Sequence, residues 1–363
     1  MGEVFALMTT CEKNYTHGEI PLMRWYHLTS EVISRIGGDA HLSQAKQFAF
    51  LDTETTGLGG GAMAFQVGVG YFSDDGCFEV RQYFLRNPGE EAAMLHHLAE
   101  LLAQFDALVT FNGRTFDIPL LNGRFIMNRI PASLEGVPNL DLLGPARRMW
   151  RRRLSSVALS ALEKAVLGLQ RSEQDVSGAL IPWLYQNYLQ SGDASAMFRV
   201  LYHNRLDLLS MVTLTTVLHD AFIASPDDAL PPDDRLSLAK WHEKMGRLAE
   251  AERAYRIAVE QAEDDDTLYD ALHGLGLLLK RADRRDEACP LWRTMAGLRR
   301  DVTAHEELAK YHEWHTYDLQ AALAWCDEAL TLIDSWYRGK RHKKALEHFI
   351  HRRARIKNKL MED

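Results

Sequence analysis

Two carboxylates stand two residues apart at the end of an apolar run, Phe48-Ala49-Phe50-Leu51-Asp52-Thr53-Glu54-Thr55-Thr56-Gly57-Leu58. Side chains alternate along a strand, so Asp52 and Glu54 point to one face of a sheet. Two ionised carboxylates that close repel each other, and burying them uncompensated is costly or raises one pKa. A divalent cation removes that penalty, so the chemistry the pair suggests is metal-assisted. The glycines that follow, Gly57 and then Gly59-Gly60-Gly61, let backbone approach a ligand closely. The same residue types also make ordinary turns, and the run alone leaves a plain strand end open.

Further acids occur at the ends of other elements. In Asn112-Gly113-Arg114-Thr115-Phe116-Asp117, the acid falls in the first turn of a helix, where the dipole favours a carboxylate and where Asp is common for structural reasons alone. In Tyr202-His203-Asn204-Arg205-Leu206-Asp207, an interval of four residues sets His203 and Asp207 on one helix face. The core side of that helix is apolar through Leu201, Leu208, Met211 and Leu214. The polar face therefore covers something polar, or it is a surface His-Asp pair.

The elements that must position these groups follow from periodicity. Strand patterns cover 48–53, 65–72 and 77–86, with Ser73-Asp74-Asp75-Gly76 as a tight turn, so three strands run in antiparallel succession. A helix over 90–105 presents Leu95, Leu98, Leu101, Leu102 and Phe105 as a stripe before a short strand at 107–111. A helix over 115–128, a strand over 137–142 and helical sequence to 223 follow, ending in a long helix at 194–222. This order predicts an α/β domain with a mixed sheet whose sites gather at strand ends.

Residues 1–47 lack strong periodicity and read as an N-terminal extension packed on a domain at 48–225. The segment Ala224-Ser225-Pro226-Asp227-Asp228-Ala229-Leu230-Pro231-Pro232-Asp233 interrupts all periodicity and reads as a linker. Beyond it, 226–363 is an all-α region with a weak internal repeat. Leu238-Ala239, Gly246, Ala251, Tyr255 and Ala258 overlay Leu275-Gly276, Asp283, Ala288, Trp292 and Met295 at a step of 37, and a third copy has Ala322, Cys326 and Ala329 a further 34 on and Leu308-Ala309 a further 33 on. Small residues where helices cross resemble the tetratricopeptide repeat, with an ordinary helical bundle as the alternative.

A chain of 363 residues with 46% hydrophobic and 25% charged residues has room for two or three domains with full cores. Cys11, Cys77, Cys289 and Cys326 are too scattered for a disulfide framework or a paired zinc motif, which suits a reducing compartment. No signal peptide or membrane span is read, so the expectation is a cytoplasmic protein without a membrane. A net charge of −8 argues against nonspecific coating of nucleic acid. Two basic blocks, 147–153 and 338–359, could hold phosphates or form solvated helix faces, and the tail could also meet an acidic partner.

Asp52, Glu54, Asp117 and Asp207, with His203, resemble the three motifs of the DEDD 3′-5′ exonucleases of the ribonuclease H-like superfamily. More narrowly, Phe50 through Gly61, the run Phe111-Asn112-Gly113-Arg114-Thr115-Phe116-Asp117-Ile118-Pro119 and the repeat-bearing tail resemble the YprB-like (mitomycin repair factor B) exonucleases, from residue 48 to the end. The resemblance implies that the four acids bind two Mg²⁺ or Mn²⁺ ions and that a His or Tyr of the third motif orients or deprotonates the attacking water. Many members of the histidine subclass place that His five residues before the last Asp, where this chain has Tyr202; His203 stands at the tyrosine subclass's interval. An imidazole accepts a proton near pH 7 more readily than a phenol, which favours His203 and keeps Tyr202 in reserve.

On this resemblance the chain is expected to remove nucleotides from a 3′ end, with single-stranded DNA preferred over RNA, in repair. Ions about 3.5–4 Å apart suit in-line phosphodiester hydrolysis. Thr55, Gly57, Leu58, Asn112 and Arg114 are candidate contacts to the terminal nucleotide by position, and Asp141 is left outside the ligand set. The helical repeats are expected to bind a protein partner, for which the family suggests a repair helicase. An exoribonuclease and a non-catalytic scaffold for nucleic acid and helicase are the competing readings.

Overall fold

A computed structural model describes residues 3–57, 61–298, 301–335 and 339–362. It divides into two compact units, 1–224 and 225–363.

The first unit contains β1 (Phe5–Cys11), a ribbon of β2 (Thr16–His17) and β3 (Ile20–Pro21), α1 (Ser30–Gly37), β4 (Phe48–Thr55), β5 (Ala64–Phe72), β6 (Phe78–Phe84), α2 (Glu91–Leu102), β7 (Ala107–Thr110), α3 (Asp117–Met127), β8 (Asn139–Asp141), α4 (Leu143–Trp150), α5 (Leu159–Val166), α6 (Ile181–Ser191) and α7 (Ser195–Ile223). Six strands form one sheet in the order β1-β6-β5-β4-β7-β8. The β4, β5 and β6 pairings are antiparallel, and β7 and β8 add in parallel, giving the mixed sheet.

Residues 1–47 do not stand apart as an extension. β1 pairs antiparallel with β6 from Phe5↔Phe84 to Cys11↔Phe78, which satisfies the edge of β6 that would otherwise expose its backbone donors and acceptors. The region expected to be helical up to 223 is also broken. Between α5 and α6 the chain leaves the helix at Gly168, whose φ of +64° suits glycine, and runs through a polar coil.

α7 packs across β4, β5 and β6. It is the one described helix long and apolar enough to cross a membrane by length and composition, which corrects the expectation that no such stretch exists; 78% of its most apolar window is buried. Its apolarity is thereby accounted for by packing within this unit.

The second unit is all-helical: α8 (Pro232–Lys244), α9 (Leu248–Gln261), α10 (Asp265–Arg281), α11 (Arg285–Gly297), α12 (Thr303–Trp314), α13 (Leu319–Asp334) and α14 (Lys340–Glu362). The residues aligned by the repeat, among them Ala251, Ala288, Ala322, Tyr255, Trp292 and Cys326, are buried. Gly246, Asp283 and Tyr317 each take a positive φ between paired helices, and they recur at the 37- and 34-residue steps of the repeat. The basic tail is largely paired within its own unit. Arg352, Arg355 and Lys359 converge on the buried carboxylate of Glu313 at 3.1, 2.6 and 2.9 Å, and Arg353 pairs with Asp327. Arg338 lies outside the described residues.

Candidate active site

β4 ends in the two carboxylates the alternation predicts, both half-buried, with Thr53 and Thr55 buried on the opposite face. β7 leads into a turn in which Asn112 adopts φ +68°, a conformation Asn tolerates better than most residues, and Asp117 opens α3. The turn is tied down by Asp141. Its Oδ1 accepts from the Asn112 and Leu143 N–H groups at 2.8 and 3.1 Å, and its Oδ2 from the Arg114 N–H at 3.1 Å. Asp141 thus anchors the backbone that presents Asp117. Asp117 is 4% exposed, and its Oδ1 accepts a hydrogen bond from the Thr53 hydroxyl.

α7 comes close to the sheet at Gly68, the register partner of Asp52. A Cβ on Gly68 would lie 2.1 Å from Asn204 Oδ1 and 2.8 Å from Leu208 Cδ1. Gln82, next in the same row of the sheet, donates from Nε2 to Asn204 Oδ1 at 2.8 Å. That bond fixes the amide's orientation, so Asn204 Nδ2 donates to Asp52 Oδ2 at 2.7 Å.

One turn along, His203 and Asp207 share a face as predicted, with Nε2 and Oδ2 3.6 Å apart. Both meet side chains from the coil after α5 that the motif reading missed. Arg171 forms a fork with buried Glu163, with Nε to Oε2 at 2.6 Å and Nη2 to Oε1 at 2.5 Å, and it also donates to Asp207 Oδ1. Glu163 accepts from Ser210 Oγ, and Ser210 Oγ lies 2.8 Å from His17 Nε2 on β2. Burial, with Arg171 and Arg205 nearby, pushes His17 down to about 4, so the neutral imidazole donates to Ser210. The N-terminal ribbon therefore supports the guanidinium from behind. Asp175 Oδ1 lies 2.8 Å from His203 Nδ1. Tyr202 turns elsewhere: its hydroxyl is 3.3 Å from Ser172 Oγ.

The acids act on one another electrostatically. Burial, then the charges of Asp207 and Asp117, push Asp52 well above the usual carboxylate range. Burial and the charges of Asp52, Asp207 and Asp117 do the same to Glu54. Burial raises Asp117 to about 6, partly offset by its hydrogen bonds. Burial works against the charged form of Arg171, but Glu163 and Asp207 outweigh it and push its pKa up.

An all-oxygen set of repelling carboxylates matched by a single anchored guanidinium suits a hard divalent cation by charge and donor type. Among the described residues, no three acidic, imidazole or thiol groups already stand as a ready ligand cluster. Asp52, Asp117 and Asp207 are each engaged with a protein donor.

Of the candidate substrate contacts, Thr55 is buried with its hydroxyl on the Gly57 carbonyl at 2.9 Å. Asn112 is exposed beside Asp117's turn, and the Arg114 guanidinium donates to the Asn139 carbonyl at 2.9 Å. Leu58, with Gly59 and Gly60, lies outside the described residues.

A family model described as the RNase_H superfamily matches residues 49–219, the span that contains all four acids. The chain is also 32% identical over 292 residues to YprB of Bacillus subtilis, covering 78% of this chain and 68% of that protein.

Proposed function

The chain belongs to the RNase H superfamily, as a relative of YprB, and on that premise we propose that it is a metal-dependent 3′-5′ exonuclease of the DEDD type. Members of this superfamily generally hydrolyse nucleic acids with divalent metals. The single observation that supports the reading best is mutual: Asp52 and Glu54 are recessed, repel each other and feel the charges of Asp117 and Asp207. Such a concentration of buried carboxylates is destabilising unless a cation balances it.

Asp52, Glu54, Asp117 and Asp207 are the residues to hold two Mg²⁺ or Mn²⁺ ions. When bound, the ions supply Lewis-acid activation of water and charge stabilisation at the scissile phosphate. The protein's part is to place the carboxylates and present His203 Nε2 to the attacking water as a proton acceptor. Thr55, Gly57, Leu58, Asn112 and Arg114 remain proposed contacts to the terminal nucleotide; the Arg114 N–H is committed to Asp141 and one guanidinium nitrogen to the Asn139 carbonyl, which leaves the other guanidinium donors for that role.

Single-stranded DNA as substrate and a repair role follow from the resemblance to YprB-like exonucleases, and a cytoplasmic setting is the expectation from the scattered cysteines and from a sequence in which no signal peptide is read. The repeating helix pairs of the second unit fit a tetratricopeptide-like surface for a protein partner such as a repair helicase. The exoribonuclease reading stays in the test, because recognition of a 2′-hydroxyl needs a dedicated contact and none of the placed residues provides one.

The experiment uses 3′- and 5′-labelled single-stranded DNA and RNA of one sequence, with Mg²⁺, Mn²⁺ or chelator. Laddering from the 3′ end of DNA, abolished by chelator and by Asp52→Ala or His203→Ala, is the expected result. Degradation that persists in Asp52→Ala removes the metal assignment; activity confined to RNA replaces the substrate; no degradation of either leaves the scaffold.

A further inference from the structure

We propose that Asp175 is a positioning residue for His203: it holds the imidazole in the tautomer that leaves the Nε2 lone pair open toward the site. The proposal deepens the hydrolytic reading above and rests on it for its kinetic consequence.

The imidazole has two edges with different neighbours. At Nδ1 stand Asp175 Oδ1 at 2.8 Å and Arg171 Nη1 at 3.0 Å. At Nε2 stands Asp207 Oδ2 at 3.6 Å, beyond hydrogen-bond distance. A proton on Nε2 would leave the Nδ1 lone pair against a carboxylate oxygen at 2.8 Å, two acceptors in contact. Arg171 Nη1 competes for the same edge, since its N–H would be the partner of an Nδ1 lone pair, but Asp175 is the shorter contact and Nη1 has Asp175 Oδ2 at 3.3 Å as another acceptor, so the proton on Nδ1 satisfies both groups. Hydrogen bonding at one ring nitrogen sets the tautomer and thereby the chemistry of the other. Gly178 lies on the Nε2 side of the ring, where a Cβ would come within 3.8 Å of that atom, so no side chain from residue 178 covers it.

Asp175 is not where it is by chance of a loose loop. Arg199, one turn before His203 on α7, grips three consecutive carbonyls of the coil: Nη2 donates to Glu173 O at 3.2 Å and to Asp175 O at 2.6 Å, and Nε to Gln174 O at 3.3 Å. Arg171, four residues before Asp175, is locked from the other side by Glu163. Arg199, His203 and Asp207 therefore form one stripe of α7, and the coil laid over it is pinned at both ends of the imidazole.

The test pairs kinetics with a spectroscopic readout. Asparagine at 175 can turn its NH₂ toward Nδ1 and donate, which forces the proton to Nε2. With labelled histidine and the His203 resonance assigned by its loss in His203→Gln, the ¹⁵N shifts should report an Nδ1–H imidazole in the wild type and an Nε2–H imidazole in Asp175→Asn. The same variant should lose ~10²–10⁴-fold in kcat with KM nearly unchanged, the pattern of a wrong tautomer. Mn²⁺ affinity, read by titration of the metal-free protein, should stay within about twofold, because Asp175 is no ligand; Asp175→Glu should recover part of kcat. Arg199→Ala, which keeps the carboxylate and loosens the coil, should give an intermediate loss and a mixed tautomer, and it serves if Asp175→Asn fails to fold. A wild-type kcat in Asp175→Asn, or an unchanged ¹⁵N pattern, overturns the proposal. A wild-type protein that degrades no nucleic acid overturns the hydrolytic reading instead, and the ¹⁵N pattern then still decides whether Asp175 sets the tautomer.

Discussion

Asn204 Nδ2 donates to Asp52 Oδ2 at 2.7 Å beside Gly68 of β5, which has no side chain to come between helix and strand. The amide is fully buried and its orientation is fixed by Gln82, so the first acid of the site is steered from a helix more than a hundred residues away in sequence. Gly68→Ala should therefore affect both folding and the site. A methyl group at 2.1 Å from Asn204 Oδ1 and 2.8 Å from Leu208 Cδ1 must displace side chains of α7, one of them held by Gln82, and overpacking of this kind costs about 1–3 kcal/mol. Urea denaturation should show that loss together with reduced hydrolysis; an unchanged midpoint contradicts the close approach.

Asp52→Asn should raise stability while it removes activity. The neutral amide can still accept from Asn204, and the repulsion that Asp52 shares with Asp207 and Asp117 disappears. In chelator the variant should gain about 1 kcal/mol, and with metal its hydrolysis should fall by ~10²–10³. A variant less stable than wild type in chelator would mean that the acids do not repel.

The raised Asp117 gives the metal-free protein a particular pH dependence. Its folded value of about 6 lies above the ordinary aspartate value of 3.8, so the folded state binds the extra proton between those limits. The stability that proton supplies is complete below about 3.8 and is lost as pH rises through about 6. Asp117→Asn should abolish this part of the slope, on the order of 2–3 kcal/mol, when denaturation midpoints in chelator are compared between pH 4 and 7. Parallel slopes for the two proteins would show that burial does not hold the carboxyl protonated.

Glu163→Gln should be strongly destabilising. It leaves the Arg171 guanidinium without the fork that anchors it in a site only 12% exposed at Arg171 and 1% at Glu163. Removing one partner of such a pair costs about 3–5 kcal/mol, whereas replacing both recovers much of it, so Glu163→Gln with Arg171→Met should be more stable than Glu163→Gln alone. Equal losses in the single and double variants would show no coupling between the two residues.

A fragment of residues 1–224 should fold cooperatively, because this unit has its own sheet and core. Under the proposed function it should retain hydrolysis and lose partner recruitment. Circular dichroism on heating and the labelled-strand assay check the two halves of that statement, and a fragment without a cooperative transition would show that the unit depends on the helices that follow.

The local signals in the sequence concern residues whose roles are set by near neighbours. The alternation through 48–55 put Asp52 and Glu54 on one face, the four-residue interval aligned His203 with Asp207, and the 37-residue step overlaid Gly246 on Asp283, both of which take a positive φ between helices. Each is a matter of strand or helix periodicity, or of a backbone turn repeated by the same helix pair. The pairing of β1 with β6 was not legible, since an edge strand is defined by the partner it finds.

Arg171 and Asp175 carried no motif at all: the stretch was read as part of a helical run to 223, and only the fold shows a polar coil laid over α7. Glu163 and Asn204 were equally silent, because a buried polar side chain is recognisable only by the partner it satisfies. The amino-acid order by itself determined which carboxylates and imidazole were available and which element each would ride on. Tertiary structure decided which oxygen meets which donor, because hydrogen bonds and charge repulsion act over a few ångströms between groups that the chain holds as far apart as 152 positions for Asp52 and Asn204 and 193 for His17 and Ser210.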